Sequence, residues 1–456
     1  MITLDALGPR GPYRARDPLP IADVAGNPLA ELSLVPELFV TRAMSALRRA
    51  KPLPLPDRLT AIAAAGELFA TGEVGGLSAA EYQHAVSRMA GTPLPVVRAA
   101  AEAIAKNAAK VYYWSLQSAR PVGAVNDWRD PLIRQGAAVW VRRGEVLAVH
   151  AAGDRPAAHG LWLEAVAAGY RVAVRPSRRE PLTPHRLVSA LRACGIGADQ
   201  VVLLPTDHAV AAQLPRLADL SMVYGDQEVV DRYAADPTVL PNGPGRSKIL
   251  ITADTDWRDH LDLIVDSVSH QGGVHTTAVF VEGDPAPVAA AVAERLAAIP
   301  SLPPEHEKAV LTAYSPAAAK AMTDYLLAQS AGVRTHLEAV VDELPDGCAV
   351  PRPAVFELAD PFARQTGIEL GFPCVWVAPW TREAGVAPLR DSQVLTAVTR
   401  DERLLDALLA EPTIRNLYIG AHPTYWMAPG VPHDGFLGEF LMRSKAVIGD
   451  VVLTGS

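Results

Sequence analysis

The sequence predicts an α/β protein with two domains, each built around a parallel β-sheet. The chain has 456 residues, which is long for a single hydrophobic core. Strand and helix patterns alternate from residue 161 to about 227, as expected of βαβ units. The alternation restarts at 247–251 and continues to about Pro429, which favours a second α/β domain.

The composition predicts a soluble cytoplasmic protein that binds neither nucleic acid nor a membrane. Its 49% hydrophobic and 20% charged residues are typical of globular proteins, and a net charge of −8 lacks the basic excess of phosphate-backbone binders. Cys194, Cys348 and Cys374 are far apart and odd in number, which predicts neither a disulfide framework nor a zinc site. We find no secretory signal pattern and no apolar run near the roughly 18 residues of a membrane span.

The sequence before the first strands predicts helices only from about residue 59 onward. Residues 1–58 are rich in proline and show little periodicity. From 59 to about 118, apolar residues recur at helical spacing in an alanine-rich sequence. A glycine-rich turn at 72–77 divides this region, and Ser78 is suited to cap the helix that follows.

Two strand patterns follow the helical region, and we interpret them as a β-hairpin. Residues 137–141 and 146–150 are apolar and largely suited to strands. The four residues between them, 142–145, have the length and the glycine of a tight turn. The sequence therefore predicts that these two strands pair with each other.

The remaining elements are assigned from their periodicity and from the turns that bound them. In the first half they are a helix at 161–168, a strand at 170–174, a helix at 183–194, a strand at 200–204, a short helical stretch at 209–214, a strand at 220–224 and a helix from Gln227. In the second half the strands include 247–251, 278–281 and 374–378.

Two turns after predicted strands are candidates for ligand binding, because ligands of open α/β sheets bind at the carboxyl ends of the strands. The first carries Arg175, Arg178 and Arg179, which suit a phosphate group, although a solvated basic turn remains an alternative. The second contains Gly225, which permits a tight turn before a helix. The chain has no Gly-x-Gly-x-x-Gly and no Walker sequence.

Several motifs together resemble the aldehyde dehydrogenase superfamily, in the broad sense that includes acyl-thioester reductases. They occur in the family's order between about 59 and 452. The matching segments are 142–146 with 150–156, Arg175-Pro176-Ser177 with Pro181-Leu182-Thr183, 223–228, 242–247, 369–373 and 438–440 with 445–447. A further segment, 267–284, has the frame of the family's cysteine loop but contains no cysteine.

The resemblance implies a nicotinamide nucleotide cofactor. It places the cofactor on Arg175, Ser177, Arg178, Gly225, Asp226, Glu228 and Glu369. Arg178 stands where NAD-preferring members often carry a glutamate that binds the ribose hydroxyls. Because an arginine attracts a 2′-phosphate, we expect NADP rather than NAD.

The residues expected to carry the chemistry depart from the family pattern. Asp154 stands at the place of the family's oxyanion-binding asparagine, and Asn242 at the place of its general base. The loop after Gly272 is shorter than usual, and His275 or Thr276 lies nearest the position of the missing cysteine. A threonine hydroxyl beside a histidine base can act as a nucleophile. The alternative is that both are loop residues with no part in bond making.

The resemblance implies an aldehyde dehydrogenase fold with three parts. A dinucleotide-binding domain is expected at 1–132 and 151–246, a catalytic-type α/β domain at 247–430, and a β-hairpin oligomerisation arm at 133–150 with 446–456. The arm implies a homodimer or homotetramer.

For function, we expect an NAD(P)-dependent oxidoreductase that acts on an aldehyde or acyl thioester with non-standard catalytic residues. Two alternatives remain open. One is a catalytically degenerate homologue that serves as a binding or assembly subunit, and the other is non-redox acyl chemistry in the same pocket.

Overall fold

The structure is a computed structural model that describes residues 1–270, 274–428, 430–433 and 435–448. The strands are β1 (Ile2–Leu4), β2 (Ala6–Gly8), β3 (Gly11–Tyr13), β4 (Leu19–Ala22), β5 (Pro28–Leu32), β6 (Ala124–Val125), β7 (Ala137–Arg142), β8 (Val146–His150), β9 (Arg171–Arg175), β10 (Val201–Leu203), β11 (Leu220–Tyr224), β12 (Val239–Asn242), β13 (Ser247–Ile251), β14 (Thr276–Glu282), β15 (Arg334–Leu337), β16 (Val341–Glu343), β17 (Ala349–Pro351), β18 (Ala354–Glu357), β19 (Cys374–Trp380), β20 (Ser392–Val398), β21 (Ile414–Ile419) and β22 (Met442–Val447).

The α-helices are α1 (Glu37–Arg49), α2 (Leu55–Thr71), α3 (Ala79–Ala90), α4 (Leu94–Lys110), α5 (Leu163–Ala168), α6 (Leu182–Ala193), α7 (His208–Ala211), α8 (Leu214–Leu217), α9 (Gln227–Tyr233), α10 (Leu261–Ser269), α11 (Ala286–Ala297), α12 (Pro316–Gln329), α13 (Glu402–Leu409) and α14 (Leu437–Leu441). A π-helical turn spans Val111–Ser115, and 3₁₀ turns occur at Leu116–Ala119, Pro131–Gln135, Pro156–Gly160, Trp257–His260, Arg364–Gly367 and Ala387–Leu389.

The first large sheet has seven strands in the order β12-β11-β8-β9-β10-β2-β3. The five strands from β12 to β10 are parallel, whereas β2 and β3 add an antiparallel edge. Along β8, Leu147 and Val149 face a core shared with α2, α4 and α6, while Val146 and Ala148 face a core shared with α1. Burial on both faces explains why β8 is continuously apolar from Val146 to Val149 rather than alternating.

The second large sheet has seven strands in the order β15-β18-β19-β14-β13-β20-β21. Its strands from β18 to β21 are parallel, and β15 lies antiparallel at one edge. Alternate residues of its central strands lie in two separate apolar clusters, one on each face. The predicted α/β class with two largely parallel sheets is confirmed. The last strand of the first sheet ends at Asn242, and the first strand of the second begins at Ser247.

The predicted hairpin between residues 137–141 and 146–150 is wrong. Strand β7 pairs antiparallel with β22, so that Ala137 lies opposite Val447, whereas β8 lies inside the first sheet. The segment between β7 and β8 crosses from one sheet to the other instead of turning back. The Asp219 carboxylate fixes this crossing by accepting the backbone N–H groups of Glu145 and Val146 at 2.8 and 2.9 Å.

Strand β7, within the predicted arm at 133–150, belongs to a small sheet of order β22-β7-β6, whereas residues 146–150 of the same prediction form β8 of the first large sheet. The predicted carboxyl-terminal part of the arm, 446–456, is described only as far as residue 448. The large apolar side chains exposed between residues 111 and 136 are Tyr113, Trp114, Val122, Trp128 and Leu132, and Ile448, directly after β22, is exposed as well.

The amino-terminal region contains more structure than its sequence pattern predicts. Strands β1, β5 and β4 form a small sheet, and α1 covers one face of the first large sheet. Strands of three to five residues are too short to establish a period. The predicted cap at Ser78 is present, because its hydroxyl accepts the N–H of Glu81 at 3.3 Å while the Glu81 carboxylate accepts the N–H of Ser78 at 2.9 Å.

Candidate active site

A cavity of about 1560 Å³ lies between the two large sheets. Residues that follow β8, β9 and β11 of the first large sheet line it, where the parallel strands end at one edge of the sheet. His275, which precedes β14 of the second large sheet, and the segment around Glu369 line it as well. Ligands of open α/β sheets bind outside the carboxyl ends of strands, so the position agrees with the site expected from the sequence.

Arginine side chains dominate the part of the cavity after β9. Arg175 donates from Nε to the hydroxyl of Thr206 at 3.2 Å, and burial lowers its pKa, an effect that the charge of Arg178 increases. The Nε of Arg178 is buried and has no hydrogen-bond partner in the described part of the chain. Ser177 lines the cavity as well, and its hydroxyl accepts the N–H of Arg179 at 3.2 Å. Neither guanidinium forms an ion pair with a carboxylate of the described residues, although the charge of Asp207 acts on Arg175. The two neighbouring groups therefore form a site suited to an anion.

The turn after β11 is held by its own backbone. The N–H of Gly225 donates to the carbonyl of Asn242 at 3.0 Å, and the carboxylate of Asp226 caps α9 by accepting the N–H of Val229 at 3.1 Å. A Cβ on Gly225 would lie 2.6 Å from the side chain of Val229, so this position excludes any larger residue. Together, Arg175, Arg178 and Gly225 define what we name the basic end of the cavity.

Glu228 differs from the other predicted cofactor residues in its position. It is exposed and pairs with Arg232 at 2.8 Å along the same helix. It is not among the residues that line the cavity, whereas Asp226 is.

Glu369 is fixed by the segment that joins the two large sheets between β12 and β13. Its Oε2 accepts the backbone N–H of Arg246 at 2.6 Å, and Arg246 has a φ of 49°, which is uncommon for a residue other than glycine. Arg155 Nη2 lies 3.9 Å from Glu369 Oε1. The carboxylate therefore lies in the cavity beside one guanidinium and one main-chain donor.

His275 is buried and lines the cavity next to this carboxylate. Burial lowers the pKa of its imidazole, the charge of Glu369 opposes this effect, and Arg155 adds to it. The ring hydrogen-bonds to the backbone of Leu370, while Nε2 has no partner among the residues that the structure describes. A neutral imidazole with one bonded nitrogen presents its other nitrogen as a proton acceptor.

Asp154 and Asn242 line the same cavity as His275. The Asp154 carboxylate lies 3.8 Å from Arg155 Nε and 4.0 Å from Arg179 Nη1, so two positive charges face it. The Asn242 amide donates to the carbonyl of Leu240 at 3.3 Å. We name Asp154, Asn242 and His275 the histidine centre.

Thr276 lies outside the cavity lining, although it follows His275 directly. It is fully buried at the start of β14, and its hydroxyl lies 3.3 Å from that of Thr424. The Thr424 hydroxyl in turn donates to the carbonyl of Val274 at 2.7 Å. The side chain of Thr276 is therefore part of a buried polar contact. The preceding residues of the predicted loop, 271–273, lie outside the described residues.

The cysteines provide no alternative nucleophile in this cavity. All three are free thiols, and none of them lines it. Burial raises the pKa of Cys374 to about 12, and the nearby charge of Glu369 contributes to the shift. A thiol with so high a pKa carries almost no thiolate at neutral pH. No group of three or more potential metal ligands occurs among residues 1–270, 274–428, 430–433 and 435–448.

Sequence reasoning missed other polar groups that line the cavity. His270 stacks on Tyr425 with ring centroids 3.9 Å apart, and burial lowers its pKa to about 4. Arg155 could have been noticed as a charge beside Asp154 in a turn after a strand. No sequence pattern indicated that Glu164 lines the cavity, because its position depends on how α5 packs in the folded protein.

Comparison with solved structures identifies the class of fold. The chain resembles gamma-glutamyl-gamma-aminobutyraldehyde dehydrogenase from Burkholderia cenocepacia J2315 with a TM-score of 0.79 and 17% identity, covering 98% of this chain and 96% of that one. For an indole-3-acetaldehyde dehydrogenase in complex with NAD+, the TM-score is 0.80 at 15% identity, with 98% and 97% covered. Aldehyde dehydrogenase 21 from Physcomitrella patens, in complex with succinate, gives 0.80 at 14% identity, with 100% and 99% covered.

The protein therefore has the aldehyde dehydrogenase fold along almost its whole length. At these identities the likeness concerns the fold alone. No protein-family model matches the chain, and no curated protein matches it. In the described part of the chain, no helix has both the length and the apolar character needed to cross a membrane.

Proposed function

We propose that the protein is an NAD(P)-dependent oxidoreductase that interconverts a carbonyl compound and its reduced form without a thiol. The observation that carries this proposal concerns His275, which lines the cavity that also contains the basic end and whose buried Nε2 has no hydrogen-bond partner among the described residues. The substrate classes that the fold favours are aldehydes and acyl thioesters.

The residues present fit a nicotinamide nucleotide. Arg175 and Arg178 supply positive charge for its phosphates, and Gly225 permits the tight turn that packs against Val229. The Glu369 carboxylate, which is fixed by the N–H of Arg246, would accept hydrogen bonds from a ribose. When bound, such a nucleotide supplies or accepts a hydride. The unpaired Nε of Arg178 favours a nucleotide with a 2′-phosphate, so we propose NADP in preference to NAD.

His275 would move the proton. Its lowered pKa keeps the imidazole neutral at neutral pH, so Nε2 can accept the proton of a substrate hydroxyl as the carbonyl forms. In the reverse direction, the same nitrogen returns the proton to the substrate oxygen. The Arg155 guanidinium lies 3.8 Å from the Asp154 carboxylate and 3.9 Å from the Glu369 carboxylate, so both ion pairs are long. Its charge would stabilise the negative charge that develops on the substrate oxygen.

Loss of the family's other acyl-transfer groups supports direct carbonyl chemistry. A hydrolytic aldehyde dehydrogenase needs a base to activate water, whereas Asn242 stands at that place and its amide cannot accept a proton at neutral pH. Asp154 brings a carboxylate to the place of an oxyanion donor. The position of Thr276 outside the cavity lining gives no support to a threonine nucleophile.

The same departures support a second candidate, a binding or assembly subunit that retains the nucleotide site. The exposed apolar side chains near β7 and β22, including Trp114 and Ile448, favour assembly with a second copy of the chain. We therefore propose a homodimer or homotetramer under either function.

The test begins with NADPH and NADH titrations followed by fluorescence, and continues with turnover of a panel of aldehydes, alcohols and acyl-CoA thioesters. The oxidoreductase proposal predicts NADPH binding and turnover of at least one carbonyl class. Binding without any turnover would favour the subunit, and absence of nucleotide binding would contradict both candidates.

A further inference from the structure

A carboxyl group lies in an apolar wall of the cavity, away from the elements that carry the basic end. Glu164 is on α5 and lines the cavity together with residues of α4, the π-helical turn Val111–Ser115 and α14. Its neighbours Leu163 and Ala165 point into the core. The other residues of this wall are mostly small or apolar, among them Ala103, Val111, Leu161, Phe436 and Leu437.

The Glu164 side chain has no counterion. No hydrogen bond or ion pair reaches its carboxyl group from any residue that the structure describes, and burial alone raises its pKa to about 8. The charged residues of α4 and α14 that line the cavity are Lys106 and Glu439, and neither pairs with it. An unpaired carboxyl in such surroundings is destabilising, unless a ligand supplies the missing partner.

We propose that Glu164 binds a protonated amino group of the substrate. That the substrate carries a carbonyl or hydroxyl group rests on the proposed function. The ammonium site rests only on the position of Glu164 in this wall of the cavity. A carboxylate among small and apolar side chains suits an alkylammonium ion. The ammonium group would pair with Glu164, and the methylene chain would contact apolar atoms and the ring of Phe436, which lines the same cavity. The substrate class is therefore an amino aldehyde, or the matching amino alcohol.

The proposal has a proton signature. With a pKa of about 8, the Glu164 carboxyl is mostly protonated near neutral pH in the free protein. An ammonium ligand favours the carboxylate, so binding at about pH 7 releases a proton and binding at about pH 9 releases almost none. Amine affinity should consequently rise with pH up to about 8 and then level off, until the amine itself loses its proton.

The experiment is titration calorimetry with butan-1-amine and butan-1-ol, in two buffers of different ionisation enthalpy. The wild type should bind the amine at least about tenfold more tightly than the alcohol, with proton release near neutral pH. Glu164→Gln should lower amine affinity by at least about tenfold, leave alcohol affinity within about twofold and abolish the proton release. Glu102→Gln is the matched control, because Glu102 lies on α4 outside the cavity lining.

Equal affinity for amine and alcohol, or amine binding that survives in Glu164→Gln, would overturn the proposal. NADPH titration of Glu164→Gln shows whether the variant retains its fold. The assay contains neither nucleotide nor reaction, so a protein without oxidoreductase activity can still support the ammonium site. In an active protein, 4-aminobutan-1-ol should exceed butan-1-ol in kcat/KM by about tenfold or more, and Glu164→Gln should remove that preference.

Discussion

The basic end and the histidine centre of the cavity differ in how much of each is set by the backbone. At the basic end, the turn after β11 is closed by main-chain hydrogen bonds, and Gly225 has no room for a side chain. At the histidine centre, three side chains define the site, and each differs from the residue that the family pattern places there. A binding site that is formed by the backbone tolerates few substitutions, whereas side chains that take part in a reaction can be exchanged while the fold stays the same. This difference teaches that similarity of fold is better support for nucleotide binding than for a particular reaction.

The largest expected effect is that of replacing His275 with alanine, which tests whether the histidine centre and the basic end have separate roles. If Nε2 moves the proton, His275→Ala should lower kcat by about a hundredfold or more, because general acid–base groups typically contribute that much. NADPH affinity should stay within about twofold, since the basic end is unchanged. Steady-state kinetics and a fluorescence titration measure the two quantities. His422→Ala, whose imidazole lies outside the cavity lining, is the control and should keep full activity.

The pH profile of alcohol oxidation tests the state of the same imidazole. The pKa of His275 lies below the ordinary 6.5, so the ring is neutral and active at about pH 7. Acidification should lower kcat/KM only below the ordinary histidine pKa, by about tenfold per pH unit once the ring is protonated. A profile whose acid limb lies at or above about 6.5 would contradict a lowered pKa.

Arg178 tests the basic end by itself. Arg178→Ala removes a guanidinium whose Nε is buried without a partner in the described part of the chain. We expect at least about a tenfold loss of NADPH affinity and a change of less than about threefold for NADH, because only NADPH carries the 2′-phosphate. Arg232→Ala, on the outer side of α9, is the matched control. Equal losses for the two nucleotides would show that Arg178 does not distinguish them.

The smallest expected effect concerns Glu228. The family resemblance places it near the cofactor, whereas the structure has it exposed and paired with Arg232. Exposed ion pairs one turn apart contribute about 0.3–0.5 kcal/mol, so Glu228→Ala should change stability little and NADPH affinity by less than about twofold. Asp226→Ala should have the larger effect on affinity, since Asp226 caps α9 beside Gly225. A large loss in Glu228→Ala alone would restore the role expected from the sequence.

Much of the fold was predictable because buried parallel strands have a strong signal. Strands β11 and β13 begin and end as predicted, and both are buried strands whose residues are mostly apolar. The pairing of β7 was not predictable from its own neighbourhood, because its partner β22 lies some three hundred residues further along the chain. Local turn chemistry cannot distinguish a hairpin from a crossing between sheets.

The candidate site was predictable where a motif fixes the position of a residue. His275, Asp154 and Asn242 line one cavity, as the resemblance implies, although their roles are still predictions. Thr276 illustrates the limit, because β14 begins there and only the structure shows that His275 lines the cavity while Thr276 does not. The partners that tune the site, such as His270 on Tyr425 and Arg155 near Glu369, depend on tertiary contacts that no local pattern contains.

The central claim is that this cavity supports hydride transfer between a nicotinamide nucleotide and a carbonyl compound without a thiol. The most direct measurement follows deuterium from NADPH labelled at C4, with both stereoisomers, into products of an aldehyde panel that includes amino aldehydes. The account predicts an alcohol with one deuterium on its former carbonyl carbon, which His275→Ala forms at least about a hundredfold more slowly than the wild type. Bound nucleotide with no deuterated product from any aldehyde would contradict it.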